Sequence, residues 1–452
     1  MAQQTNDFSQ GSIPKNILAL ALPMTAAQLI NVLYSVVDRI YLGLLPGHLA
    51  LTGLGLTVPV ISIIMGFANL CGTGGAPLSS MERGRGNREE AERVMGNAFT
   101  LLLIFGAAVT ALFLVIKRPM LYLFGASDAT YPYADAYMTI YLMGTLFVMI
   151  GLGMNPFINA QGFGKVGMMT VGLGAVVNIV LDPVFIFGLD MGVAGAAVAT
   201  VIGQISGACI GFFLLWRIRR EFSVSFRGFR PSRVLSGEML RIAAPAVVMQ
   251  SLSSFMSLGL NQLLTLWSQT GVFVLGVYFK IQTFVCMPIF GVSNGLIPIL
   301  SYNYGAKSPG RITRSIRFSL ALAVGIGLGG AVLLCLAASP LLRYCFQAGE
   351  QAAAMGGPAL RMTALAFPVA AVSIILSASF QSLGRSTLSL LVSLLRQIVL
   401  LLPIAALFLY VAPGQVWLSF LCAEALSCLA AAALYRRTIR PKIRALAQGR
   451  SQ

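Results

Sequence analysis

Charge is the first thing this sequence lacks. Asp, Glu, Lys and Arg make up 10% of its 452 residues, where soluble domains carry about 25%, and so thin a supply excludes an ordinary water-facing surface. Acids are scarcer than bases, with Asp+Glu 14 against Lys+Arg 31. A single histidine, His48, lies in the turn LLPGHLALTG and reads as a loop residue rather than a proton shuttle. No His/Ser/Asp triad, metal motif or cofactor fingerprint appears, and His48 alone is poor support for catalysis, so the chain is not expected to be an enzyme. Seven cysteines are scattered without CxxC or Cys/His spacing. They read as small apolar fillers, with no metal and no disulfide. The glycine-rich NLCGTGGAPLSSMERGRGN lacks the Gly-Lys-Ser/Thr of a phosphate loop, and its glycines read as close helix packing. No cofactor is expected.

Hydrophobicity is what the chain has in abundance, at 57% of residues, in runs long enough to span a bilayer (about 20 residues). Splitting the runs at charge, Pro and Gly gives twelve spans, the mark of an all-α multi-pass membrane protein. The bases gather between them, at 81–93, 216–233, 304–317 and 435–444. With the amino terminus in the cytoplasm, only Lys117, Arg118, Arg343 and Arg361 fall outside, so both termini are assigned to the cytoplasm of the cell (inner) membrane. The same clustering explains the formal net charge of +17 without nucleic acid. Residues 1–13 then form a cytoplasmic amino terminus without the basic-then-apolar layout of a cleaved leader. A first lobe spans 14–216, a basic linker 217–237, a second lobe 238–436 and a basic tail 437–452.

The chain also repeats itself. Pro23 and Gln28 match Pro245 and Gln250; Gly74, Pro77, Ser80 and Gly84 match Gly295, Pro298, Ser301 and Gly305; QGFGK at 161 matches QSLGR at 381, and Pro183 matches Pro403. Two six-span halves in the same orientation follow, an architecture of transporters that handle cargo between halves.

An Asp at mid-span costs about 2.5–3.5 kcal/mol and needs a partner, a cavity or a proton. Three acids lie within spans: Asp38, Asp182 and Glu424. Asn178 and Asp182, four apart, share a helix face. Pro183 has no amide proton and frees a carbonyl one turn back, near Ile179. At 1.5 Å per residue Asp182 sits ~24 Å along its span, toward the same outer half as Asp38. Such a cluster can exchange a proton or offer oxygens to a hard cation, or it can serve packing alone. The repeat places Leu260 opposite Asp38 and Leu402 opposite Asp182, so any coupling ion belongs to the first half. Arg396 and Glu424 can pair as a structural ion pair on adjacent spans; Lys280 is a second candidate partner for Glu424, or a cavity residue. Arg39 is expected to snorkel. Tyr34, Met154, Phe157, Lys280 and Met287 are candidates for an adaptable apolar cargo cavity.

LALPMTAAQLINVLYSVVDRIYLG, NAQGFGK, VVNIVLDPVFIFGLDMGVAGAAVATVIGQ and GLIPILSYNYGAKSPGRI resemble the multidrug and toxic compound extrusion (MATE) transporters, bacterial multidrug branch, over about residues 11–437. The resemblance implies a V-shaped pair of six-helix lobes, a central cavity, and cation/drug antiport driven by protons or sodium. It also implies a cation site at Asp38, Asn178, Asp182 and Thr200, the last on the sixth span. Another branch places acids on the seventh and tenth helices, where this chain has none. The expected activity is therefore multidrug efflux of small amphipathic, cationic compounds by a monomer in the lipid bilayer. The rival is a lipid-linked saccharide flippase, which needs a basic cavity; a membrane-embedded enzyme stands further off.

Overall fold

Within a bilayer no water is at hand for backbone polar groups, so long apolar runs must satisfy their own hydrogen bonds as helices. The computed structural model describes residues 8–45, 49–217 and 232–448. It contains twelve helices long and apolar enough to cross a membrane. They are α1 Ile13–Gly43, α2 Leu49–Gly84, α3 Arg88–Leu123, α4 Tyr131–Ala160, α5 Gly164–Gly188, α6 Gly192–Phe213, α7 Arg233–Thr265, α8 Gln269–Gly305, α9 Pro309–Cys345, α10 Glu350–Ser382, α11 Ser386–Val411 and α12 Leu418–Ala447. His48 and most of the 217–237 linker lie outside the described residues.

The helices form two compact units whose borders differ from those expected. The first comprises Ala26–Ala243 and the second Phe8–Thr25 with Ala244 onward. Each unit thus takes the opening stretch of a helix whose remainder belongs to the other. The borders fall beside Pro23 and Pro245, where a missing amide proton weakens the helical ladder. In the second unit Phe8, Ile13, Ile17 and Leu20 pack with Ile289, Leu296 and Ile312. In the first, Met239 of α7 joins the core of α2–α4, and the Asn97 amide donates to Ser236 Oγ at 3.1 Å.

Two further expectations need correcting. The basic segments 81–93 and 304–317 are not loops: α2 runs to Gly84 and α3 starts at Arg88, capped by Asn87, while α8 and α9 are separated by three residues. The charges ride on helix ends, where Arg88–Glu92 (3.2 Å) and Arg93–Glu89 (2.8 Å) pair one turn apart, the spacing at which helical side chains meet. Nor are the ends free tails. Phe8 is 1% exposed, the Arg311 guanidinium donates to the carbonyls of Phe8, Gln10 and Gly11, and α12 continues to Ala447.

Candidate functional site

The contact between α5 and α6 begins with what is missing from it. A Cβ on Gly203 would stand 2.7 Å from the Gly174 carbonyl oxygen and 3.1 Å from Asn178 Cβ. One on Gly174 would stand 2.9 Å from the Gly203 carbonyl, and one on Gly207 2.7 Å from that of Thr170. Only hydrogen fits at these positions, so the two backbones touch, as small residues allow between membrane helices. That approach carries Asn178 on α5 to Thr200 on α6: the Asn178 amide donates to Asp182 Oδ1 at 3.2 Å and to Thr200 Oγ1 at 3.4 Å. Asp182 is fully buried and Asn178 is 3% exposed.

Just past this pair the α5 ladder changes. Pro183 supplies no amide proton, the Val184 amide turns to Leu181, and Val184–Gly188 form a π-helical turn. The carbonyls of Ile179 and Val180 therefore lose their α-helical donors beside the acid. Such wide turns recur at functional sites because they expose backbone acceptors inside a helix.

Asp38 reaches the cluster from α1. It is half-buried and close enough for its charge to act on Asp182. Tyr34, one turn back, feels both carboxyls. Tyr137 on α4 faces Asp38 and the Thr200 hydroxyl, with Tyr141 stacked on it at 6.1 Å between ring centroids. Four helices of the first unit thus converge on two carboxyls. Three buried oxygens there have no hydrogen-bond donor: Asp38 Oδ1, Asn178 Oδ1 and Asp182 Oδ2. Buried acceptors are normally satisfied, so this all-oxygen set fits a group that brings positive charge or a proton.

Tyr137 and Tyr141 escaped the sequence reading, although their spacing of four in YMTIY puts both rings on one face of α4. The other candidates scatter. Phe157 is 1% and Met287 6% exposed; both are core packing rather than cavity lining, Phe157 with its ring against Gly75. Met154 is half-buried against the same core. Lys280 is exposed, with its ammonium 5.7 Å from the centroid of the Phe346 ring, which removes it as the partner of Glu424. That partner is Arg396, whose Nε lies 3.6 Å from Glu424 Oε1. Both side chains are mostly buried, so removing one partner strands a charge. Arg396→Met alone is expected to destabilise by about 3–5 kcal/mol, and Arg396→Met with Glu424→Leu to recover most of it. Thermal melts in detergent check both; equal losses in the single and double variants would contradict the pairing. Arg39 is exposed, as snorkelling requires.

The profile of the MatE family matches residues 23–184 and again 245–407, so the internal repeat and the family's unit coincide. The multidrug export protein MepA of Staphylococcus aureus (strain NCTC 8325 / PS 47) is 25% identical over 437 residues, covering 95% of each chain. Among solved structures, the fold is similar to MATE in the bent conformation, with TM-score 0.91 and 24% identity over all of both chains. It is likewise similar to an outward-facing multidrug resistance MATE family transporter of the MOP superfamily, with TM-score 0.89 and 24% identity over 99% of this chain and 100% of that one.

Proposed function

The chain belongs to the MatE family of multi-pass membrane transporters, and from that premise we propose that it is a secondary-active multidrug exporter that exchanges a cation for cargo. The cation, a proton or sodium, is taken up at Asp38, Asn178, Asp182 and Thr200; the cargo is a small amphipathic, cationic compound, and the working unit is a monomer. The observation that carries this reading is the set of three donorless buried oxygens on α1 and α5. Two carboxyls that repel each other in a low-dielectric site are relieved by one cation or proton. Binding it favours whichever conformation brings α1 and α5 together, and its departure releases that preference. The name of the Staphylococcus aureus relative, a multidrug export protein, supports the choice of cargo.

The driving force suffices. One proton moving down about 100 mV and one pH unit releases roughly 3.7 kcal/mol, enough for a several-hundred-fold cargo gradient. Antiport also requires reciprocity, in that a ligand which weakens a second ligand is weakened by it to the same factor. Binding of a fluorescent cationic dye to the purified protein is therefore expected to weaken as protons or sodium rise. The coupling energy of 1–3 kcal/mol typical of such systems corresponds to about 5–150-fold. A dye affinity indifferent to both cations would contradict coupling.

We further infer that both termini are cytoplasmic, a reading supported by the bases that gather in alternate connections between the spans of the sequence. A protease-cleavable carboxy-terminal tag is expected to be cut in inverted vesicles and protected in intact cells; the reverse pattern would invert the topology. The flippase reading is less favoured, since Arg396, one of the two bases it would draw on, is engaged by Glu424.

A further inference from the structure

A stripe of small residues four apart runs along α6: Gly195, Ala199, Gly203 and Gly207, all buried. On α12 it returns as Ser419, Ala423, Ser427 and Ala431, each 224 residues on and each buried. Residues four apart share a helix face, so sequence and burial fix the same register. The shift is 220 at Pro183 and Pro403, and the four extra residues fall between Pro403 and Ser419. In this register Thr200 corresponds to Glu424. The second unit thus has a carboxyl where the first has the hydroxyl that accepts from Asn178.

What faces that carboxyl differs. Leu260 and Leu402, the counterparts of Asp38 and Asp182, pack with the apolar core, and a Cβ on Gly259 would stand 2.8 Å from Leu402 Cδ1. A base enters instead. The α11 ladder widens into a π-helical turn at Leu395–Val399, against which α12 lies. On this turn Gln397 accepts from Ser253 Oγ of α7 at 3.1 Å. Its neighbour Arg396, pointing elsewhere as adjacent helix residues do, brings Nε to 3.6 Å from Glu424 Oε1. The first unit's cluster leaves three buried oxygens without donors and holds no base among them; here one such oxygen remains, Glu424 Oε2, on a carboxyl that already has a cation beside it. The ring of Tyr278 lies 4.7 Å from that of Phe420, one turn before Glu424. Tyr278 and Cys286 on α8 and Cys428 on α12 are within electrostatic reach of Glu424, and none of them can supply a positive charge.

We propose that the Arg396 guanidinium is the second unit's resident cation: it takes the place that a proton or sodium ion takes in the first unit, and so keeps a latent cation site at Glu424 closed to ions from solution. The inference rests on the cation reading of Asp38 and Asp182. A guanidinium keeps its proton at any working pH and is tethered to the chain, so this half neither loads nor unloads, and cation exchange is confined to the first unit. Removing Arg396 while keeping Glu424 opens the latent site. The folded variant then needs a proton or sodium that its unfolded chain, with Glu424 in water, binds only weakly, and stability rises with the concentration of that cation.

The test is the melting temperature of the whole protein in detergent across pH, and across sodium at constant ionic strength. Arg396→Met is made in an Asp38→Asn/Asp182→Asn background, which silences the first site, and compared with that parent under each condition. It is expected to melt below the parent, with the gap closing by about 3–5 °C for each tenfold rise in the cation that binds, hence as pH falls or as sodium rises. Arg396→Lys, which keeps the charge, and Arg396→Met with Glu424→Leu, which removes the carboxyl, are expected to hold a constant gap. A constant gap for Arg396→Met in both series would overturn the proposal, and so would a cation-dependent gap that survives Glu424→Leu. Failure of Arg396→Met to fold under every condition would overturn it too, because added cation must rescue that variant. The first site is judged separately, by wild type against the Asp38→Asn/Asp182→Asn parent in the same series: equal cation dependence there would remove the coupling reading without altering what Glu424 binds.

Discussion

Asp182→Asn is expected to abolish cation-driven efflux, reducing it to the passive leak, while the protein folds as before. The substitution keeps the size and shape of the side chain. An amide oxygen in place of Oδ1 still accepts from the Asn178 amide, now at 3.2 Å, so the α5 face and its neighbour Thr200 stay in place. What disappears is the charge and the exchangeable proton. With one carboxyl left, the mutual repulsion that a cation relieves is gone, and the two conformations no longer differ in their affinity for it. A ligand without differential affinity shifts no equilibrium, however tightly it binds. Dye efflux from proteoliposomes under an imposed gradient, beside a thermal melt, separates the two arms. Wild-type efflux by the variant would remove Asp182 from the coupling, and a lost melt would move it from chemistry to packing. Asp38→Asn is expected to show the same phenotype, and the double variant to be no worse than either single one, because the two residues act as one unit.

Gly203→Val is expected to disable transport from the other direction, through geometry alone. Its Cβ would stand 2.7 Å from the Gly174 carbonyl and 3.1 Å from Asn178 Cβ, and the nearest of these is backbone, which cannot swing aside. The two helices must separate, carrying Asn178 away from Thr200. Overfilling a close contact costs about 1–3 kcal/mol, and a shift of about 1 Å at a functional constellation costs on the order of a hundredfold in rate. Gly276→Ala is the matched control, since a Cβ there meets nothing within 4 Å. It is expected to leave transport intact. Normal efflux by Gly203→Val would show that the α5–α6 contact does not position the site.

The fold was legible in the sequence to the extent that the bilayer dictates it. Twelve apolar runs can only be helices, and the recurrence of Pro23, Gly74 and Pro183 about 220 residues on announced the repeat. Charge in the sequence marks where an apolar span ends but not where its helix ends, because an i,i+4 ladder such as Arg88–Glu92 lets a helix run on past the apolar zone. The exchange of α1 and α7 segments between units left no mark in composition. Nothing in a linear pattern says which bundle a continuous apolar helix packs against, and Pro23 and Pro245 reveal the border only once the packing is known. Asn178 and Asp182 were legible because helical spacing and Pro183 act locally. Tyr137 was not, because its role depends on α4 lying against α6 and on Asp38 coming near from another helix. Phe157 and Met287 show the converse limit, in that residue type suggests a cavity wall while burial makes them core.

The most direct test of the account is efflux of a fluorescent cationic dye from proteoliposomes of the wild-type protein, with a proton gradient and a sodium gradient imposed separately. Coupling at the Asp38–Asp182 cluster predicts that one gradient drives dye against its own concentration difference and that dissipating that gradient stops it. Dye that merely equilibrates under both gradients would contradict cation-coupled export.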